Sequence, residues 1–299
     1  MGNMGTARGI PERLISLVVD AGLGPAAMHG LDKITLALRQ KGIATERVAT
    51  LGAARGDVLL VIGLGSGSGA AAGLLQAAGI PSPTGPEALA IQRTEWRARP
   101  ALVISGSDDR GLMYAELDVA DRLSWASEPG DVLRRVRNTA ERPAVVERAV
   151  SKLVLNKSEF ERYFFSEDYW SKYLDLLAKS RFNSFVLLFG YDAPAYFEPP
   201  YPFLFDVEGF PEVRVVGLTR QAQQRNLDAL NRIVQMTHDR GLSFTAAFWT
   251  QICRGGRRGM VPMDQPVPGA VWGLTDDNLV ALSAAAMRRF LQLVPEVEA

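Results

Sequence analysis

The chain has few of the residues on which several protein classes depend. Its 299 residues include one cysteine, Cys253, and two histidines, His29 and His238. A single cysteine excludes an internal disulfide and a zinc site built from cysteines. Two histidines so far apart in the sequence also argue against a multi-histidine metal centre. We therefore expect no resident metal ion.

Net charge and long apolar runs are lacking as well. The 33 lysines and arginines balance 33 aspartates and glutamates, so no basic excess favours a nucleic-acid partner. No apolar stretch approaches the roughly 20 residues that cross a bilayer, so we expect no membrane partner. Hydrophobic residues make up 47% of the chain. That share is enough for a large core and argues against disorder.

Strands and helices alternate in the first part of the chain. Short apolar runs are typical of buried strands, and Pro100 indicates the turn of a hairpin. We predict strands at 14–19, 47–50, 57–62, 89–95 and 101–105, and helices at 26–40, 70–78 and 107–126. This pattern predicts an α+β domain over residues 12–126.

A polar segment with prolines, residues 127–144, is predicted to be a linker. After it, apolar strands alternate with longer helices, which favours parallel βα units in a barrel or a doubly wound sheet. We predict strands at 149–155, 185–189 and 244–248, and helices at 166–179, 219–240 and 275–293.

A glycine-rich loop, Gly63 to Gly69, follows the strand at 57–62, where a dinucleotide-binding loop would lie. The spacing is wrong, because the third glycine of G-x-G-x-x-G falls on Ser68. The acidic residue at the expected distance, Glu87, lies in a proline- and glycine-rich segment and not at a strand end. We therefore interpret the loop as a strand-to-helix connection and expect no cofactor. A nucleotide-binding protein is the weakest of three functional hypotheses.

Polar residues follow the predicted strands of the second region, where a barrel would have its mouth. The insertion at 190–218 also carries seven aromatic residues and five prolines. These rings either stack on sugar rings or pack the loop onto the scaffold, and for any one of them packing is favoured. The candidate substrate-binding residues are Asn156, Tyr191, Asp192, Trp249 and Gln251.

Several segments resemble known glycoside hydrolases. Residues 85–91 and 102–114, the latter with the sequence Gly-Ser-Asp-Asp-Arg-Gly at its centre, resemble the N-terminal domain of family 67-type alpha-glucuronidases. The same domain precedes the barrel in family 20 hexosaminidases. Residues 181–183 and 189–191 are similar to the opening of the catalytic barrel in bacterial relatives. The resemblance covers about residues 12–298.

The resemblance implies an α+β accessory domain at 12–126 and a TIM-barrel domain at 145–299. A (β/α)8 barrel takes about 250 residues, so we expect an incomplete barrel of about three βα units. The parent enzyme would hydrolyse glycosidic bonds of an oligosaccharide or of a glycan that contains uronic acids.

Such enzymes need two carboxyl groups about 5 to 9.5 Å apart, and in the family these lie on strands from the fourth onward. Asp192 is the only carboxylate that we place at a strand end. We therefore expect no catalytic residue in this chain, although its parent would be an enzyme. A non-catalytic carbohydrate-binding protein is the alternative hypothesis. The open edge of the barrel is expected to favour self-association.

Overall fold

The computed structural model describes residues 14–126, 133–153, 157–189, 191–192, 197–198, 200–248 and 265–298. The chain divides into two compact units, residues 1–146 and 147–299. Each unit has a sheet of its own. Within the described ranges, no helix combines the length and the hydropathy that crossing a bilayer would require.

In its described residues, the first unit is a six-stranded mixed sheet with three α-helices. Its elements are β1 (Leu14–Val19), α1 (Pro25–Gln40), β2 (Ala44–Val48), β3 (Val58–Leu64), α2 (Ala70–Ala77), β4 (Leu89–Trp96), β5 (Arg99–Gly106), α3 (Asp109–Ser124) and β6 (Thr139–Glu141). The spatial order is β2-β1-β3-β5-β4-β6. Parallel pairing joins β2, β1, β3 and β5, and β4 is antiparallel to both of its neighbours.

The second strand is the least accurate prediction in this unit. It was expected at 47–50, but it runs from Ala44 to Val48 because it pairs in parallel with Leu14–Val18 of β1. None of its five residues is buried, so the sequence carries no apolar run to mark it. Pairing with β1, and not local pattern, sets its position.

Residues 139–141, inside the segment predicted as a linker, form the edge strand β6. Arg93 of β4 holds the chain that leads to it. The Arg93 guanidinium donates hydrogen bonds to the carbonyl oxygens of Leu133 and Val136, and the Arg93 backbone N–H donates to the Asn138 side-chain oxygen at 2.9 Å. The β6 strand thereby covers the edge of β4, which would otherwise be open.

The segment Gly-Ser-Asp-Asp-Arg-Gly at the start of α3 forms a compact junction with the loop before β4. One oxygen of the Asp108 carboxylate accepts a hydrogen bond from the Gly111 N–H, and the other accepts one from the Glu87 N–H, both at 2.7 Å. The Arg110 guanidinium pairs with the Glu87 carboxylate at 2.6 Å. A side chain at Gly111 would overlap the carbonyl of Ala88. Each of these residues therefore has a structural role.

A buried acid lies where α1 packs against α3. Glu116 is fully buried, and its carboxyl occupies the space that a side chain at Gly30 would need. Neither carboxyl oxygen has a hydrogen-bond partner among the described residues. Burial raises the pKa of Glu116 well above its ordinary value, and the nearby charges of Asp109 and Asp32 raise this pKa further.

The second unit contains a three-stranded parallel sheet of order β12-β8-β7. Its described elements are β7 (Ala149–Leu153), α4 (Lys157–Phe164), α5 (Glu167–Lys179), β8 (Ser184–Phe189), β9 (Tyr191–Asp192), β10 (Phe197–Glu198), α6 (Tyr201–Leu204), β11 (Arg214–Val215), α7 (Arg220–His238), β12 (Ser243–Phe248), β13 (Val271–Trp272) and α8 (Leu279–Leu293). The parallel pairing of the three predicted strands is confirmed.

Local signals in the sequence explain the starts of two helices in this unit. Ser166 and Thr219 each accept a hydrogen bond from the N–H of the third residue of α5 and α7, Tyr169 and Ala222, so the predicted caps are confirmed. The predicted start of α8 at Thr275 is wrong. The Asn278 side chain accepts from the Thr275 N–H at 2.8 Å, which closes a turn, and the helix begins only at Leu279.

We predict that Glu116 makes the first unit less stable as the pH rises. The unfolded chain ionises this group near 4.5, whereas the folded protein keeps it protonated to a higher pH. The contribution of Glu116 to the free energy of unfolding is therefore fully present only below the pKa of the unfolded chain. This contribution is lost as the pH rises toward the raised pKa of the folded protein.

Urea unfolding across this range should show a flatter pH dependence for Glu116→Gln than for the wild type. Glu95→Gln, which changes an exposed glutamate of β4, should keep the wild-type slope. Equal slopes in the wild type and Glu116→Gln would contradict the prediction.

Candidate functional site

The carboxyl ends of the parallel strands in the second unit lie at one edge of the sheet. Ser184 pairs with Ala149 on one side and with Ser243 on the other, so β7, β8 and β12 start level with one another. Loops that leave this edge are where barrel enzymes build their sites. Each of the five predicted substrate-binding residues comes within three residues of a described strand end.

The structure describes only part of that predicted set. Asn156, Trp249 and Gln251 lie outside the described residues. Tyr191 and Asp192 form β9, which pairs in antiparallel fashion with Phe197–Glu198. A short hairpin thus follows β8 almost directly. The roles of all five residues stay a prediction.

Three aromatic residues of the insertion pack the scaffold. Tyr201, Phe203 and Phe205 are buried. The Tyr201 ring lies 5.0 Å from the ring of Phe248 at the end of β12 and 6.3 Å from the ring of Phe290 on α8. Burial raises the pKa of Tyr201 to about 12, so its hydroxyl stays protonated at neutral pH. For these three residues the packing interpretation is confirmed, and sugar stacking is excluded by their burial.

The loops that follow β8 and β12 are joined to each other. Arg214–Val215 pairs with Val271–Trp272 in an antiparallel ribbon. The Val216 N–H also donates to the carbonyl of Ala270 at 2.9 Å. Gly273 fits beside the ribbon at φ +91°, where a side chain would also overlap the carbonyl of Glu212. No local pattern in the sequence marks this pairing, because each strand has only two residues.

The outer surfaces of α7 and α8 differ in character. The exposed residues of α7 are all polar: Arg220, Gln221, Gln224, Arg225, Asp228, Arg232 and Gln235. On α8, Val280, Met287 and Leu291 are 80%, 39% and 50% exposed, and exposed Ala284 lies among them. At 100° per residue these four fall within about 60° of arc, so they form one apolar stripe. We call it the α8 stripe.

Glu298 contacts the start of β12. The Glu298 N–H donates to the carbonyl of Phe244 at 3.2 Å, and the Phe244 N–H donates to the Glu298 carboxylate. His238, at the end of α7, contacts the carboxylates of Glu296 and Glu298 at 3.2 and 3.6 Å.

The first unit has its own candidate position at the glycine-rich loop. The strand order β2-β1-β3-β5 changes direction between β1 and β3, and such a point is where open α/β sheets bind ligands. Here the position is filled. The Asp20 carboxylate accepts hydrogen bonds from the N–H groups of Ala70 and Ala71, at 2.7 and 3.4 Å. Side chains at Gly63 or Gly69 would overlap that carboxylate.

Asp20 therefore occupies the end of α2 that would hold a pyrophosphate, and it repels an anion there. Sequence reasoning missed this role because Asp20 precedes the helix it caps by 50 residues. Its one signal is its place directly after an apolar strand. Across the described residues, no three side chains of the metal-binding types gather into a metal site.

We predict that Asp20→Ala destabilises the protein by about 1 kcal/mol, because it leaves the α2 N-terminus without an acceptor. Asp20→Asn, which keeps an oxygen acceptor and removes the charge, should cost less. Neither the wild type nor either variant should bind NAD or FAD saturably in a calorimetric titration. Saturable binding by the wild type that Gly65→Val abolishes would contradict this interpretation of the loop.

Comparison with known proteins gives a fold and not a named family. No family model and no curated protein matches the chain. Solved structures do match. A GH138 enzyme targeting pectin rhamnogalacturonan II aligns with a TM-score of 0.65 at 14% identity, over 95% of this chain and 38% of its own.

Two family 20 enzymes from Streptomyces also match. The beta-N-acetylhexosaminidase of Streptomyces coelicolor aligns with a TM-score of 0.52 at 14% identity, over 96% of this chain and 54% of its own. A mutant beta-hexosaminidase of Streptomyces plicatus, in complex with the product GlcNAc, gives 0.51 at 15% identity, over 94% and 53%. The chain thus spans between 38% and 54% of the length of these three structures. Its mixed α/β architecture with a parallel sheet is similar to the matching parts of these three glycoside hydrolases.

Proposed function

We propose that the chain forms the accessory domain and the first three βα units of the TIM barrel of a glycoside hydrolase. In this proposal the first unit is the accessory domain, and the parent enzyme hydrolyses a glycosidic bond. The observation that carries the proposal is the likeness to three glycoside hydrolases over 94% to 96% of this chain, through both units.

The barrel part of the proposal rests on the edges of the second unit. Among the described strands β12 pairs with β8 alone, and Glu298 is hydrogen-bonded to Phe244 near the start of β12. The α8 stripe is apolar, as expected for the face of a helix that packs against another helix. The polar outer surface of α7, the middle of the three long helices, supports this interpretation by contrast.

The sugar would bind at the carboxyl ends of β7, β8 and β12. There Tyr191 and Asp192 would contribute from the hairpin after β8, and Asn156, Trp249 and Gln251 from the other strand ends. Asp192 would bind sugar hydroxyls, because one carboxylate cannot both protonate the leaving group and assist attack on the anomeric carbon.

The finer proposal of an alpha-glucuronidase-like parent rests on the sequence resemblance alone. In the first unit the resembling residues Asp108, Arg110 and Gly111 join α3 to the loop before β4. They therefore support the fold and leave the choice of sugar to the loops of the second unit. A uronic-acid-containing glycan is the substrate class that the resemblance suggests.

We predict that the 299-residue chain binds oligosaccharides without hydrolysing them. General acid catalysis alone contributes about 10²- to 10⁴-fold in rate, and the proposal provides no acid pair. Purified protein should show background rates on aryl glycosides and aldouronic acids, and Asp192→Asn should weaken oligosaccharide binding. Turnover that persists through purification and disappears in Asp192→Asn would refute the assignment of the acid pair to other strands. Absence of any oligosaccharide binding would count against the function itself.

We also predict that the chain self-associates through the α8 stripe, because exposed apolar patches recruit partners. The sedimentation coefficient of the wild type should rise with concentration. The sedimentation coefficient of Met287→Lys/Leu291→Lys should not rise with concentration. The thermal midpoint of this double variant should equal that of the wild type, because the stripe is exposed. Gln221→Lys/Gln235→Lys, which adds the same charge to the polar surface of α7, should behave like the wild type. A wild-type chain that sediments as a monomer at every concentration would rule this out.

A further inference from the structure

Arginines from three elements of the second unit converge on one groove. Arg214 lies on β11, Arg220 begins α7, and Arg288 and Arg289 lie in the last two turns of α8. The groove has a volume of about 1090 Å³. This is slightly above the range for small-molecule sites, which is roughly 300–1,000 Å³, so the groove has room for more than one sugar ring.

The positive charge of the groove is only partly balanced. Asp206 pairs with Arg220 at 3.4 Å and accepts a hydrogen bond from the Gln223 amide at 3.0 Å. Glu208 is the other acid of the groove lining. Within the described part of the chain, no ion pair joins Arg214 or Arg288 to an acid.

The concentration of arginine is local, because the chain as a whole carries equal numbers of basic and acidic residues. Arg289 donates to the Gln292 side chain at 3.2 Å. That contact fixes the guanidinium on the groove side of the helix without neutralising it. The groove therefore presents guanidinium groups with unused hydrogen-bond donors.

Part of the groove lining is apolar. It includes Phe210, Pro211 and the buried Val213. Sugar rings have apolar faces that pack on aromatic and proline rings, while their carboxylates accept paired hydrogen bonds from guanidinium groups. The groove thus combines the two kinds of contact that an acidic sugar makes.

We propose that this groove binds a carboxylated oligosaccharide, a chain of uronic acid residues, as a site separate from the five strand-end residues. The proposal rests on the proposed carbohydrate function and deepens it by adding a second site for the acidic glycan class named there. Arg288 and Arg214 bind carboxylates, and Phe210 packs against a sugar ring.

The test is calorimetric titration with trigalacturonate at fixed ionic strength, with cellotriose as the neutral comparison. Trigalacturonate should bind and cellotriose should not. Arg288→Gln/Arg289→Gln should weaken binding about tenfold or more, because two charged donors are lost. Arg134→Gln/Arg135→Gln, which removes the same charge from exposed positions in the first unit, should bind like the wild type.

Each alternative gives a different result. Equal weakening in the two double variants would show attraction by net charge and overturn the proposal. If inorganic sulfate bound in the groove as strongly as trigalacturonate and displaced it, the groove would be a general anion site. That result would also overturn the proposal. Binding that survives in Arg288→Gln/Arg289→Gln and is lost in Asp192→Asn would place the glycan at the strand ends. That result would reject the groove and leave the proposed function standing.

Discussion

The first unit depends on carboxylates that lie at the carboxyl ends of its parallel strands and hold the N-termini of its helices. Asp109 accepts hydrogen bonds from three N–H groups at the start of α1, at 2.7 to 3.3 Å. Asp20 does the same for α2, and Asp108 for α3. These contacts fix the helices on the sheet and place negative charge where α/β proteins bind phosphate. The unit is therefore built as a scaffold.

Sequence pattern located most elements because their signals are local. Buried strands are continuous apolar runs, and Ser166 and Thr219 cap helices within their own segments. Contacts between distant segments left no such signal. Asp109 caps a helix more than 80 residues earlier in the chain, and β2 takes its position from β1. The candidate site shows the same limit: the strand ends and the packing of the aromatic residues could be predicted, but the ring partners of Tyr201 and the arginine groove depend on tertiary contacts.

The segment that most resembles glycoside hydrolases is also the one with the clearest architectural explanation. Glu87 adopts a left-handed backbone at φ +57° and is held by Asp108 and Arg110. Such a junction constrains residue types closely without contacting a substrate. This arrangement would produce a sequence resemblance that indicates the fold specifically but indicates the sugar substrate only weakly. Under the proposed function, the chemistry that distinguishes one glycan from another would belong to the loops of the second unit.

The ribbon between Arg214–Val215 and Val271–Trp272 ties two loops that are far apart in the chain. Adding or deleting one residue in either strand of the ribbon would reverse which side chains face each way, because successive residues of a strand point to opposite sides. The two loops can therefore change length only outside the ribbon, or together. For protein engineering the two loops form one unit, so a loop transplanted from a structurally similar protein should be moved together with its partner loop.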